Sequence, residues 1–174
     1  MQPLRIAVTG VPGCGKTSLC EIIKFETITV LDLAKKFDTI NKETSNLDTV
    51  EIDIELLKGK LVEEWSNPPT EHVFVDGHLS HNLPVDCVIL LRCRPDVLEN
   101  RLRKRNWDAG KISENVESEL LSSIIVELDE NLDILELDTT ATSILEISKK
   151  VNQWIKGDKV TSMLDIDWIA ELHS

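Results

Sequence analysis

With 174 residues, 41% of them hydrophobic and 29% charged, the chain has the size and apolar content of one compact unit, residues 1–174, able to bury a core. A formal net charge of -12 excludes a broad surface for coating nucleic acid, which needs an excess of Lys and Arg, so any polyanion contact is local. The four cysteines, Cys14, Cys20, Cys87 and Cys93, form no CxxC pair and sit in apolar surroundings, which points to buried thiols in a reducing, cytoplasmic setting. No apolar run has the length of a membrane span or a signal segment, so a soluble, unexported protein is expected.

Leu4 to Val8 is a brief apolar run ending at Thr9-Gly10, and Lys16 to Phe25 carries Leu19, Ile22 and Ile23 at helical spacing. Strand, loop and helix are expected there. Thr27 to Leu31 reads as a second strand, Asp32 opens a short helix with its acid at the positive end of the dipole, and Asp38 to Val50 is a polar, unperiodic excursion. Glu55 to Trp65 is helical and is closed by Ser66-Asn67-Pro68-Pro69. His72 to Val75 and Cys87 to Leu91 are short and nearly continuous in apolar character, as strands covered on both faces are. Pro95 opens a helix running to about Arg105, Asn106 to Gly110 interrupts, and a long helix follows from Ile112 to Leu128. Ile134 to Leu137 is the last strand and Ile144 to Ile155 the last firm helix, with a docked helix expected in the tail from Gly157 to Ser174. Strands alternating with helices define an α/β fold with a parallel sheet flanked by helices.

The chemistry begins at Gly10-Val11-Pro12-Gly13-Cys14-Gly15-Lys16-Thr17, which matches GxxxxGK[ST] between the first strand and the first helix. Glycines let a backbone wrap around phosphates with several N–H groups turned inward, and the helix N-terminus adds a positive pole. Such a P-loop binds nucleotide phosphate, with Lys16 on the β and γ phosphates, the Thr17 hydroxyl on Mg²⁺ and Ser18 able to donate to the α phosphate. Val73-Phe74-Val75-Asp76 is a strand ending in a carboxylate, the position of a second Mg²⁺-side residue, although a strand-ending aspartate also serves as a turn residue. His78, two positions on, can orient or deprotonate a water beside the γ-phosphate, or simply cap the loop. His72 and His81 lack the spacing of a zinc cluster.

Arg92, Arg94, Arg101, Arg103, Lys104 and Arg105 crowd together in a chain of strongly negative balance and are expected to face an anion or a partner. Arg105 stands at a helix end, where it can swing over a nucleotide as a lid. For Arg101 and Arg103 the expectation is a solvated face paired with Glu99, and for Trp107, packing.

In this order the cradle, the Val75-Asp76-Gly77-His78 strand end, the Arg105-Asn106-Trp107 lid and the helix after Lys111 resemble the adenylate kinase isoenzyme six family, from about Leu4 to Ile155. The resemblance implies a P-loop NTPase of the nucleoside monophosphate kinase type, with a small acceptor segment near residues 30–50 and a lid near 104–114. It implies Mg²⁺-ATP-dependent adenylate kinase and ATPase activity, with AMP as acceptor. It also implies a role in small ribosomal subunit maturation, through a small-subunit ribosomal protein of the platform and indirect contact with pre-ribosomal RNA. It implies ATP contacts at Gly13, Gly15, Lys16, Thr17 and Ser18 and a lid contact at Arg105; Lys16, Asp76, His78 and Arg105 would carry the chemistry, and Thr17 and Asp76 the metal. Lack of a longer extension fits an archaeal-type member. The chain departs from the family pattern at Asn106, where glycine is common, and in its acceptor segment, which offers Lys35, Lys36 and Lys42 but no arginine. A kinase for another small acceptor, an assembly ATPase and a non-hydrolysing ATP-binding module are the alternatives.

Overall fold

The computed structural model describes residues 2–41 and 50–173. In chain order the first half comprises β1 (Arg5–Thr9), α1 (Lys16–Ile23), β2 (Glu26–Thr29), α2 (Val30–Lys36), β3 (Ile40–Asn41), β4 (Glu51–Ile52), α3 (Ile54–Glu64) and β5 (Val73–Asp76). The second half comprises β6 (Cys87–Arg92), α4 (Pro95–Lys104), α5 (Ala109–Leu120), β7 (Asp133–Asp138), α6 (Ile144–Lys156) and α7 (Trp168–His173). Strands β2, β5, β1, β6 and β7 form one sheet in that order, every pair parallel.

Both faces of the sheet are covered, which is why its strands read as unbroken apolar runs. Ile6 and Val8 of β1, Phe74 of β5 and Ile89 of β6 pack with Leu19 of α1, Leu98 and Leu102 of α4, and Ile147 and Val151 of α6. The alternate residues Ala7, Val75 and Val88 pack with Leu33 and Ala34 of α2 and Leu57 and Leu61 of α3. Period-two alternation thus divides each strand between two helical layers. The carboxyl ends of β1, β2 and β5 finish level, with Val8 and Thr29 both in register with Asp76. Loops leaving that edge converge, as they do at the ligand-binding edge of parallel sheets.

Several boundaries differ from the sequence expectations for local reasons. Helix α2 starts at Val30, so Val30 and Leu31 are helical and not strand, because the Thr29 side chain accepts from the Asp32 N–H and caps the helix two residues early. In the polar excursion Ile40 and Asn41 pair antiparallel with Ile52 and Glu51, while residues 42–49, including Lys42, lie outside the described residues. The long helix expected from Ile112 to Leu128 is instead α5, started early by the Asp108 side chain on the N–H groups of Gly110 and Lys111. It stops at a turn in which Ser122 has φ 53°, and a 3-10 turn, Ile125–Glu127, follows. That turn brings Glu119 and Ser122 together onto Arg92.

Arg92 corrects the reading of the basic segment. It is 1% exposed, with Nε on Glu119 Oε1 at 2.6 Å, NH1 on Glu136 Oε1 at 2.8 Å and NH2 on the Ser122 hydroxyl at 2.9 Å. Arg94 pairs with its neighbour Asp96, and Arg103 with Glu99 as expected. The tail docks through Trp168, Met163 and backbone bonds to β7 rather than by an apolar helix stripe. Trp168 is buried with its indole N–H on Glu119 at 2.8 Å, whereas Leu164, Ile169 and Leu172 stay exposed. Upstream, Ser162 bridges to the β7 edge at Leu135. All four cysteines are buried free thiols. Among the described residues no helix is long and apolar enough to cross a membrane.

Candidate functional site

The loop between β1 and α1 is shaped by glycines that no other residue could replace. Gly10 has φ 139°, and a Cβ there would stand 2.4 Å from the Leu91 carbonyl oxygen; Gly13 has φ 98° and a Cβ would stand 2.7 Å from Leu98 of α4. The loop is therefore pressed against β6 and α4, with its curvature set by left-handed backbone. Lys16, the first residue of α1, turns its ammonium back to donate to the carbonyls of Gly10 at 2.7 Å and Val11 at 3.2 Å. Burial lowers its pKa, with Cys14 and Asp76 opposing and Arg105 adding to the fall.

Thr17 and Asp76, 59 positions apart in sequence, meet across the sheet edge: the Thr17 hydroxyl donates to Asp76 Oδ2 at 3.1 Å. Burial raises the Asp76 pKa, while Lys16 and the Thr17 hydrogen bond hold it down. Two hard oxygen donors side by side next to a phosphate-binding loop suit Mg²⁺, which is held by one or two protein oxygens plus phosphate and water. Among the described residues no group of three or more His, Cys, Asp or Glu side chains could hold an ion by itself.

His78 follows on the loop after β5 and is exposed at the mouth of the cleft. Surrounding protein, and next Lys16, lower its pKa, so the imidazole is neutral at physiological pH. It lines a cavity of about 240 Å³ over the loop with Lys16, Thr17, Ser18 and Arg105. It also lines a second, more apolar cavity of about 370 Å³ with Val30, Leu31, Ile52, Asp76 and Leu79. His78 thus stands between the two cavities, with Asp76 on the wall of the second. Among the described residues no arginine or lysine lines that second cavity. Lys36, from the expected acceptor segment, is turned away onto Glu64 at 2.7 Å.

Arg105, the C-cap of α4, lines the cavity over the loop and a third one of about 260 Å³. That third cavity shows what the sequence reading missed. Its walls include Gly13, Arg101, Thr139, Thr142 and Ile144, so the loop after β7 and Arg101 line a cavity beside the phosphate loop. Arg101 is no solvated residue: NH2 donates to the Thr139 carbonyl at 2.6 Å and NH1 to the Thr139 hydroxyl at 3.2 Å, with a longer contact to the Gly13 carbonyl at 3.4 Å. Thr139 in turn donates to the Cys14 carbonyl at 3.0 Å. The available signals were the four-residue spacing of Arg101 and Arg105 and a threonine cluster directly after the last strand. Trp107 packs against the core, as expected.

A parallel sheet with a glycine loop feeding a helix, Lys16 inside the loop and Thr17 on a strand-end aspartate defines a P-loop nucleotide-binding protein. A family described as an AAA domain matches residues 6–122. The chain is 38% identical to a protein of Archaeoglobus fulgidus named "Putative adenylate kinase", covering 98% of this chain and 94% of that one. It is 37% identical to a protein of the same name from Thermococcus onnurineus, over 95% and 92%. The chain belongs to this family of archaeal P-loop nucleotide kinases. Among solved structures a shikimate kinase from Bacteroides thetaiotaomicron shares the fold, with TM-score 0.51 and 17% identity over 88% of this chain and 99% of that one.

Proposed function

We propose that the chain transfers the γ-phosphoryl group of Mg²⁺-ATP to AMP, within one nucleotide-binding unit whose lid lies near residues 104–114 and whose acceptor segment lies near 30–50. The observation that carries this reading is that the loop cavity and the second, more apolar cavity share His78, with Asp76 on the wall of the second and bonded to Thr17 of the first. In-line transfer needs little covalent chemistry from the protein; positioning and charge stabilisation suffice. Backbone N–H groups from Gly13 to Ser18 cradle phosphate, and Lys16 exchanges its two loop carbonyls for phosphate oxygens. Arg105 reaches the same space from the lid side and balances charge on the transferred group. Thr17 and Asp76 would hold the Mg²⁺, which would supply positive charge against that of the phosphates. Adenine sits in the cavity between Arg101, Arg105 and the 139–144 loop, where a guanidinium plane can stack on the base. Formation of labelled ADP from labelled AMP and unlabelled ATP tests the reading.

A second reading, ATP hydrolysis, is favoured by neutral His78 between the two cavities and by the lack of a cation lining the acceptor side among the described residues. In that case His78 orients the attacking water. His78→Ala should then cut phosphate release while ATP still binds; unchanged release removes His78 from the reaction. The resemblance from Leu4 to Ile155 also supports a part in small-subunit maturation through a ribosomal protein of the platform. ATP-dependent co-elution of the two purified proteins tests that role, and absence of a complex in every nucleotide state counts against it.

A further inference from the structure

One buried polar chain lies behind the site and is left unused by the chemistry above. Thr9, the last residue of β1, stands next to Gly10 and is fully buried. Its hydroxyl donates to the His78 carbonyl at 3.0 Å and meets His81 Nδ1 at 2.8 Å. Across the ring, His81 Nε2 meets Glu127 Oε2 at 3.1 Å, and Asn82 steadies the same carboxylate oxygen at 3.4 Å. The His81 side chain has 0% exposure, whereas Glu127 is 49% exposed, so the chain runs from the surface to the back of the site.

A buried imidazole with both nitrogens engaged is a costly way to fill space that a leucine could occupy. The hydroxyl has one proton, and when it goes to the His78 carbonyl, Nδ1 must donate to Thr9. The Nε2 side is shared with Asn82, whose amide lies 3.2 Å from Nε2 and 3.4 Å from Glu127 Oε2, and burial lowers the His81 pKa against the pull of Glu127. The loop from Gly77 to Leu83 has other ties to β1, since Gly77 N–H and the Ser80 hydroxyl both donate to the Val8 carbonyl. Among these ties, those that end on the His78 backbone come from the Thr9 hydroxyl and from the His81 ring.

We propose that His81, backed by Glu127, is a positioning residue that acts together with the Thr9 hydroxyl to fix the backbone of His78 against the end of β1, beside the phosphate loop. This rests on His78 acting at the γ-phosphate. A misplacement of about 1 Å at a reacting group can cost up to about a hundredfold in rate, so a group that acts one residue away controls kcat more than binding. Thr9→Val keeps the shape and removes the hydroxyl; Thr9→Ser restores it.

The test measures ATP turnover and the NMR carbonyl shift of His78 in the full chain. Expected for Thr9→Val is a kcat lower by about tenfold with KM for ATP within about twofold, and Thr9→Ser returns to wild type. Glu127→Leu, at the exposed end, should lower kcat by about threefold through the same route. The His78 carbonyl resonance should move in Thr9→Val and in Glu127→Leu and return in Thr9→Ser. An unmoved resonance in Thr9→Val overturns the inference whatever the turnover, and so does equal kcat in Val and Ser variants of an active enzyme. No turnover in wild type with a moved resonance refutes the functional reading and leaves the positioning bond standing.

Discussion

Replacing Arg101 with methionine keeps most of the stem and removes the guanidinium from the junction of three segments. Two of its bonds are of good length, 2.6 Å to the Thr139 carbonyl and 3.2 Å to the Thr139 hydroxyl, whereas those to Gly13 and Thr140 are long at 3.4 Å. Hydrogen bonds from a charged donor contribute about 1.5–3 kcal/mol each, and partial exposure moves this pair toward the low end. If about 2 kcal/mol of that holds the 139–140 loop against Gly13, its loss weakens ATP binding by roughly thirtyfold. Calorimetric titration with Mg²⁺-ATP measures this, with inorganic triphosphate as the control. Triphosphate binding should change by less than about threefold, because the loop amides that hold it remain. ATP affinity within twofold of wild type, or an equal loss for both ligands, would refute the assignment of Arg101 to the base side.

Three further variants follow from the same geometry. Lys16→Ala should lower kcat for ADP formation by at least about a hundredfold, because a charge aimed at the transferred group is lost; a smaller effect in steady-state assays removes Lys16 from the centre of the chemistry. Asp76→Asn should abolish Mg²⁺-dependent turnover and yet raise Tm at neutral pH. Burial lifts the Asp76 pKa, so its ionised form costs stability in the fold, and that cost grows as pH rises through the folded pKa. A fall in Tm at pH 7 would contradict the sign. Arg92→Leu leaves Glu119 and Glu136 buried without their cation and should cost about 3–5 kcal/mol, or roughly 10 °C in Tm by circular dichroism. Burial already raises the Glu119 pKa against the pull of Arg92, so the loss should be largest at high pH and shrink as pH falls and the carboxyl takes a proton. A loss that is independent of pH would show that the charges are not its cause.

The contrast between Lys16 and Arg92 shows what a linear sequence reveals. Gly10 to Thr17 is legible because cradle, strand and helix are contiguous, and each residue type follows from local backbone geometry. Asp76 is legible because a short apolar strand ends on it, and Arg105 because it ends a helix. Arg92 belongs to the same basic cluster in sequence, but its acids lie 27 and 44 positions further on, so only the folded sheet shows that it faces inward. Arg101 was misread for a related reason. Its partners are Thr139 and Gly13, brought to it by the closing of β7 beside β6, and no periodicity along α4 encodes that neighbour. The pairing of β3 with β4 was least legible because two-residue strands leave no hydrophobic period to read.

Phosphoryl transfer in the cleft between Lys16, Asp76 and Arg105 is tested most directly by incubating the purified chain with Mg²⁺, unlabelled ATP and labelled AMP, and then separating the nucleotides. The account predicts label in ADP for the wild type and none for Lys16→Ala. Label remaining in AMP while ATP is consumed would contradict transfer to AMP and leave hydrolysis, and ATP left intact under both conditions would contradict the catalytic reading itself.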